Sequence, residues 1–138
     1  MFNKLSDPMK SKRLVIKINK PVSKVFEFVT NPINTPKWVE SITAEETNET
    51  PPRQGTIYRN QNRAGEWSEY EMTKFEQNKM FILSNRRNAY HVEYTLIPID
   101  ANTTELEYYE WVDEGNLTEP FTMGTLEKLE LVLEKSDS

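Results

Sequence analysis

The chain has 138 residues, with 17 Lys+Arg against 22 Asp+Glu, a formal charge of −5 and one histidine. That length suits one domain with a core of its own, and 36% apolar against 28% charged residues fits a soluble globular chain rather than a disordered one. Zero cysteines exclude disulfides, thiolate metal sites and cysteine nucleophiles, and the acidic balance argues against a nucleic-acid partner, whose phosphates need a basic surface.

Residues 1–11 are polar and basic, contain Pro8, and read as a flexible tail with no apolar core of signal-peptide length. No apolar run approaches the roughly 18 residues of a bilayer span, so the expected location is cytoplasmic, with no membrane partner. From residue 12, Leu14, Ile16 and Ile18 alternate with Arg13, Val15 and Lys17, the pattern of a half-buried strand. Pro21 then opens a new period. Val22, Val25, Phe26 and Val29 form the stripe of a short amphipathic helix that Asn31-Pro32 breaks. A second short helix follows near Pro36, with Trp38 and Val39 on its buried side.

The middle of the chain alternates strands and turns. Candidate strands cover 41–48, 55–62, 67–76, 80–87, 90–99 and 103–112, at the spacing of an antiparallel meander. The last two pair through a tight link at Asp100–Asn102, with Val92, Tyr94 and Leu96 matched to Leu106 and Tyr108. A final helix is expected after Gly115, with Thr118, Glu119 and Pro120 as cap and first turn. The sum is an α+β layout, a helix laid across one face of a curved sheet, in a single domain over 12–135.

Two segments carry a resemblance. IKINKPVSKVFEFVTNPINTPKWVESI (16–42) joins a strand, the pre-helix Pro21, the Val25-Phe26 pair, Asn31-Pro32 and Trp38. YHVEYTLIPIDANTTELEYYEW (90–111) has the hairpin with Thr104 just after its turn. In these features the chain resembles the START-like (SRPBCC, birch-pollen-allergen-like) superfamily, and most of all its polyketide cyclase/dehydrase-like branch. The resemblance implies a helix-grip fold: a curved seven-stranded antiparallel sheet, two short helices after the first strand, and a C-terminal helix packed over a cavity. It also implies binding of a small apolar or amphipathic molecule such as a lipid, polyketide or aromatic compound. Alternatives within the same superfamily are a cyclase/dehydrase-type enzyme and a protein-interaction module like the heat-shock-chaperone activator domains. The chain departs from the pattern in its short final helix and in lacking a charged catalytic signature.

Strand parity nominates the cavity wall. Tyr58, Trp67, Met72, Tyr94, Leu96, Leu106, Tyr108 and Glu110 are assigned inward from the sheet, with Phe121, Thr125 and Leu129 from the helix. The competing reading is that these side chains fill a solid core. Glu110, in phase with Leu106 and Tyr108, is the candidate general acid or base; the alternative sets it at a solvated rim beside Asp113 and Glu114. His91 is out of phase and should face solvent. Arg59, Arg63, Arg86 and Arg87 are the groups that could hold an anion, and one of the adjacent Arg86-Arg87 pair should point inward. Val15, Phe75 and Tyr109 are the possible exterior apolar residues. Glu45-Glu46 and Glu105-Glu107-Glu110 lack calcium-loop spacing and read as a solvated sheet edge, so no metal or cofactor is expected. Monomer and homodimer both remain open.

Overall fold

A computed structural model describes residues 9–135; the expected tail, apart from its last three residues, lies outside them. The elements in chain order are strand β1 (Ser11–Ile18), helix α1 (Val22–Thr30), a 3-10 turn (Pro32–Asn34), helix α2 (Thr35–Trp38), and strands β2 (Ile42–Thr47), β3 (Ile57–Asn62) and β4 (Trp67–Glu76). Strands β5 (Met80–Asn85), β6 (Tyr90–Asp100) and β7 (Thr103–Val112) follow, and helix α3 (Met123–Glu134) ends the series.

The strands form one antiparallel sheet in the order β1-β7-β6-β5-β4-β3-β2. It has the helix-grip architecture, a curled sheet of seven strands with its helices on the inner side. The first three elements follow the sequence pattern closely. Ile16 and Ile18 of β1 turn into the core, and α1 buries Val25, Phe26 and Val29 on one stripe. The Thr30 hydroxyl closes that helix by donating to the Phe26 carbonyl at 2.8 Å, and the Asn31 carboxamide accepts from the Ile33 N–H to start the next turn. Thr104, after the β6–β7 turn, is fully buried and donates to the Lys20 carbonyl at 2.8 Å, tying β7 to the link between β1 and α1.

A bulge in β4 resets the parity expected there. Before it, Tyr70 pairs with Tyr58 and Asn85, and Met72 with Leu83; between Met72 and Lys74 an extra residue enters the strand. Phe75 therefore turns inward and meets Phe26 edge-on, with ring centroids 5.5 Å apart. It is a core residue, not the exterior one expected. Trp67 lies five residues before Met72 with no bulge between them, so the two must face opposite sides of the sheet. Met72 takes the inside, and Trp67 stands on the outer face, 42% exposed, correcting its inward assignment.

The last helix also starts later than expected. Gly115 and Glu119 both have positive φ (80° and 51°), and Thr122 is extended, so the backbone cannot be helical before Met123. Thr118–Pro120 thus belong to the connection between β7 and α3. From Met123 onward the helix buries Leu126, Leu129 and Leu133 and packs against β1 and α2. Glu105 and Glu107 do not form a sheet edge either, because β7 is paired on both sides. Among the described residues no helix is long and apolar enough to cross a membrane.

Candidate functional site

The inner side of the sheet, α2 and the 113–121 connection border a half-open cavity of about 500 Å³, within the usual size range of small-molecule sites. One wall is aromatic. Phe81 and Tyr94 stack at 4.6 Å, Tyr108 and Phe121 at 4.7 Å, and the Trp38 indole stands edge-on to both Tyr94 and Phe121. The other wall is polar, with Asn60, Asn62, Ser68 and Asn85 supplied by β3, β4 and β5. The Trp38 Nε1 is enclosed behind the wall and has no hydrogen-bond partner.

Of the residues assigned inward from sequence, the structure brings Tyr58, Tyr94, Tyr108, Glu110 and Phe121 together around this space. Met72, Leu96, Leu106 and Leu129 instead fill solid core, and Thr125 on α3 does not reach the cavity. Trp67 is outside altogether, beneath the Arg59 guanidinium at 4.6 Å. Because α3 begins only at Met123, the wall on that side is made by the connection preceding it.

Glu110 is 2% exposed and points inward, not to a solvated rim. Both of its oxygens are engaged: Tyr90 donates its hydroxyl to one at 2.6 Å, and the Phe121 backbone N–H donates to the other at 2.9 Å. The Tyr90 and Tyr108 hydroxyls lie 3.4 Å apart, so Glu110 ends a short chain of phenols. Burial pushes the Tyr90 phenol well above its ordinary value, and its bond to the Glu110 carboxylate adds to the rise.

A second carboxyl, overlooked in the sequence pattern, completes the site. Glu45 of β2 lines the cavity, accepts from the Thr35 hydroxyl at 2.5 Å, and meets the Asn60 amide at 3.3 Å. Burial raises its carboxyl above the usual range, with these two hydrogen bonds opposing the rise. Neighbouring Tyr58 is pushed up by burial and then by the Glu45 charge, and donates its hydroxyl to the Thr30 carbonyl at 2.7 Å. Both carboxylates also help raise Tyr70 and Tyr94, after burial, so their fields overlap across the cavity. The signal was available, since adjacent Glu45 and Glu46 on one strand must face opposite sides. Glu46 takes the outside and pairs with Arg59 at 2.9 Å.

None of the four arginines considered for anion binding lines the cavity. Arg59 lies on the outer face between Glu46 and Glu69, and Arg86 faces Glu69. Arg86 and Arg87 both lie beyond the end of β5 and are exposed, so neither points inward. His91 is on the outer side as expected, stacked on Trp111 at 4.8 Å. It links the Ser84 hydroxyl (2.8 Å) to the Asp113 carboxylate (2.7 Å) in the order of a hydrolase triad. Ser84 lies within β5 and pairs with Glu71 and His91 on either side. Its strand backbone is thus in ordinary ladder pairing, unlike the exposed turn that presents a nucleophile beside an oxyanion hole.

The family model for polyketide cyclase/dehydrase and lipid transport matches residues 9–133. The chain belongs to this family. No curated protein matches it. Among solved structures it is similar to a START superfamily protein from Mycobacterium smegmatis, with TM-score 0.71 and 13% identity, covering 91% of this chain and 98% of that one. It is similar also to a conserved protein of unknown function from Enterococcus faecalis, with TM-score 0.73, 15% identity, and coverage of 93% and 73%. A third is the Aha1 dimer from Colwellia psychrerythraea, with TM-score 0.65, 16% identity, and coverage of 91% and 97%. At these identities the likeness is one of fold, and the fold is START-like.

Proposed function

We propose that the protein binds a small apolar or amphipathic molecule in the cavity between the sheet, α2 and the connection before α3. The observation that carries this reading is a space of about 500 Å³ walled on one side by stacked aromatic rings and on the other by side-chain amides. Rings give a ligand a large apolar contact, while amides and hydroxyls orient its polar end. Family membership supports the same reading. Native mass spectrometry of freshly purified protein tests it against the denatured mass. A retained mass released on denaturation is expected; a clean apo mass, with no rise in Tm across a set of amphipathic compounds, overturns it.

A second reading, a cyclase/dehydrase-type enzyme, has one observation in its favour. The cavity carboxyl of Glu45 is held above its usual range by burial, a setting that suits proton exchange with a bound molecule. Retained molecules from wild type and Glu45→Gln that differ by the elements of water would favour the enzyme; identical masses would favour binding alone.

A further inference from the structure

The chemistry of the cavity wall goes further than amphipathic binding and indicates the charge of the polar end. The cavity-lining residues that can carry charge at neutral pH are Glu45, Glu110, Glu114 and Glu119. Lysine, arginine and histidine are absent from that lining among the described residues. A carboxylate or phosphate on a ligand would enter against like charge, with no guanidinium or ammonium to receive it. A cation would meet the opposite conditions.

Glu45 supplies the specific contact. Its donors are a hydroxyl and an amide, both neutral, and no Lys, Arg or His among the described residues pairs with it. Burial without a counter-charge disfavours its ionised form, and the Coulomb attraction of an incoming positive group offsets that penalty. The aromatic half of the wall adds to this, because the faces of Trp and Tyr rings attract cations and Trp38, Tyr58 and Tyr94 all line the cavity. Glu110 contributes field more than contact, since Tyr90 and Phe121 already occupy its oxygens.

We propose that the cavity selects ligands with a cationic nitrogen, a protonated amine or a quaternary ammonium, whose charge is received by Glu45 and the surrounding rings and whose apolar part lies along the aromatic wall. The inference rests on the small-molecule reading above, and its test separates the two. Octyltrimethylammonium, 1-octanol and octanoate share one apolar chain and differ in the charge at its end. Binding of each to the full chain is followed by titration calorimetry, with tryptophan fluorescence as a second signal. The ammonium is expected to bind about tenfold or more tightly than the alcohol, and octanoate most weakly. Glu45→Gln should shrink the ammonium-to-alcohol ratio toward unity. Octanol or octanoate binding as tightly as the ammonium overturns the cation inference and leaves the binding reading standing. Failure of all three to bind overturns the cation inference, and the binding reading is then decided by the native mass. The comparison within the wild-type chain decides the matter even if the Glu45→Gln variant does not fold.

Discussion

The carboxylate of Glu110, near the end of the last strand, accepts a 2.9 Å hydrogen bond from the backbone N–H of Phe121, eleven residues on and just ahead of the final helix. The same carboxylate accepts from Tyr90 on the neighbouring strand. One buried side chain thus fixes both the floor of the cavity and the segment that lines its far side.

Removing that acceptor leaves a buried phenol and a backbone N–H to be satisfied elsewhere. Glu110→Ala is expected to lower stability by about 2–4 kcal/mol, and Glu110→Gln, which keeps an acceptor and the shape, by about 1–2 kcal/mol. Urea unfolding of the three proteins measures both. Equal stability of Glu110→Ala and wild type would remove Glu110 from its role as a clamp.

Glu45 should behave in the opposite way. Its native carboxyl is raised above the ordinary value of 4.5, so above that value the unfolded chain releases a proton that the native chain still holds. The stability linked to this group is complete below the unfolded value and is lost as pH rises through the native one. Glu45→Gln lacks this loss. The difference in unfolding free energy between the variant and wild type should therefore move in the variant's favour between acidic and neutral pH. A pH-independent difference would contradict the burial of Glu45.

The tyrosines set the alkaline limit. Burial comes first among the causes that raise Tyr58, Tyr70, Tyr90, Tyr94 and Tyr108 above the ordinary value of 10. Native protein therefore holds protons that the unfolded chain gives up above pH 10, and stability falls as pH rises beyond that point. Phenolate absorbance in the native state should lag well behind that of the urea-unfolded chain, then rise together with loss of near-ultraviolet circular dichroism. Free titration of all the phenols in the folded state would contradict the buried network.

Trp67 offers a control on the outer face. Trp67→Ala removes its stacking with Arg59 and is expected to cost about 0.5–1 kcal/mol while leaving ligand affinity unchanged. Calorimetric titration of the variant checks both parts, and a tenfold loss of affinity would return Trp67 to the site.

Much of this fold is legible wherever a run keeps a single period. The alternation in β1, the stripe on α1 and the paired alternation of Val92, Tyr94 and Leu96 with Leu106 and Tyr108 all survive folding in phase. Legibility ends where the backbone inserts or twists a residue. The β4 bulge turns Phe75 inward, since one extra residue reverses every side chain beyond it. Trp67, ahead of the bulge and five residues from Met72, could not share the face of Met72 under any unbroken alternation. The left-handed turn at Glu119 carries no glycine to announce it, so helix signals at Thr118 and Pro120 mark a start the chain does not take. Four residues of the cavity, Tyr58, Tyr94, Tyr108 and Glu110, follow from strand parity, while Phe121 arrives there from the connection and not from the helix expected to carry it. For Glu45 parity says only that one of the adjacent Glu45-Glu46 pair faces inward; the irregularity between Ile42 and Ala44 hides which, until Thr35 is brought against Glu45.

The connection between β7 and α3 is held at its start by the Asp113 N–H on the Ala89 carbonyl, midway by the Leu117 N–H on the Met9 carbonyl, and at its end by Glu110. It adds Leu117, Thr118 and Phe121 to the cavity wall, while the helix that follows spends its apolar face on the core. This part of the cavity wall and the core contacts of α3 are therefore written in different stretches of the chain. Substitutions between the three tethers reshape that side of the cavity while leaving the buried face of α3 in place.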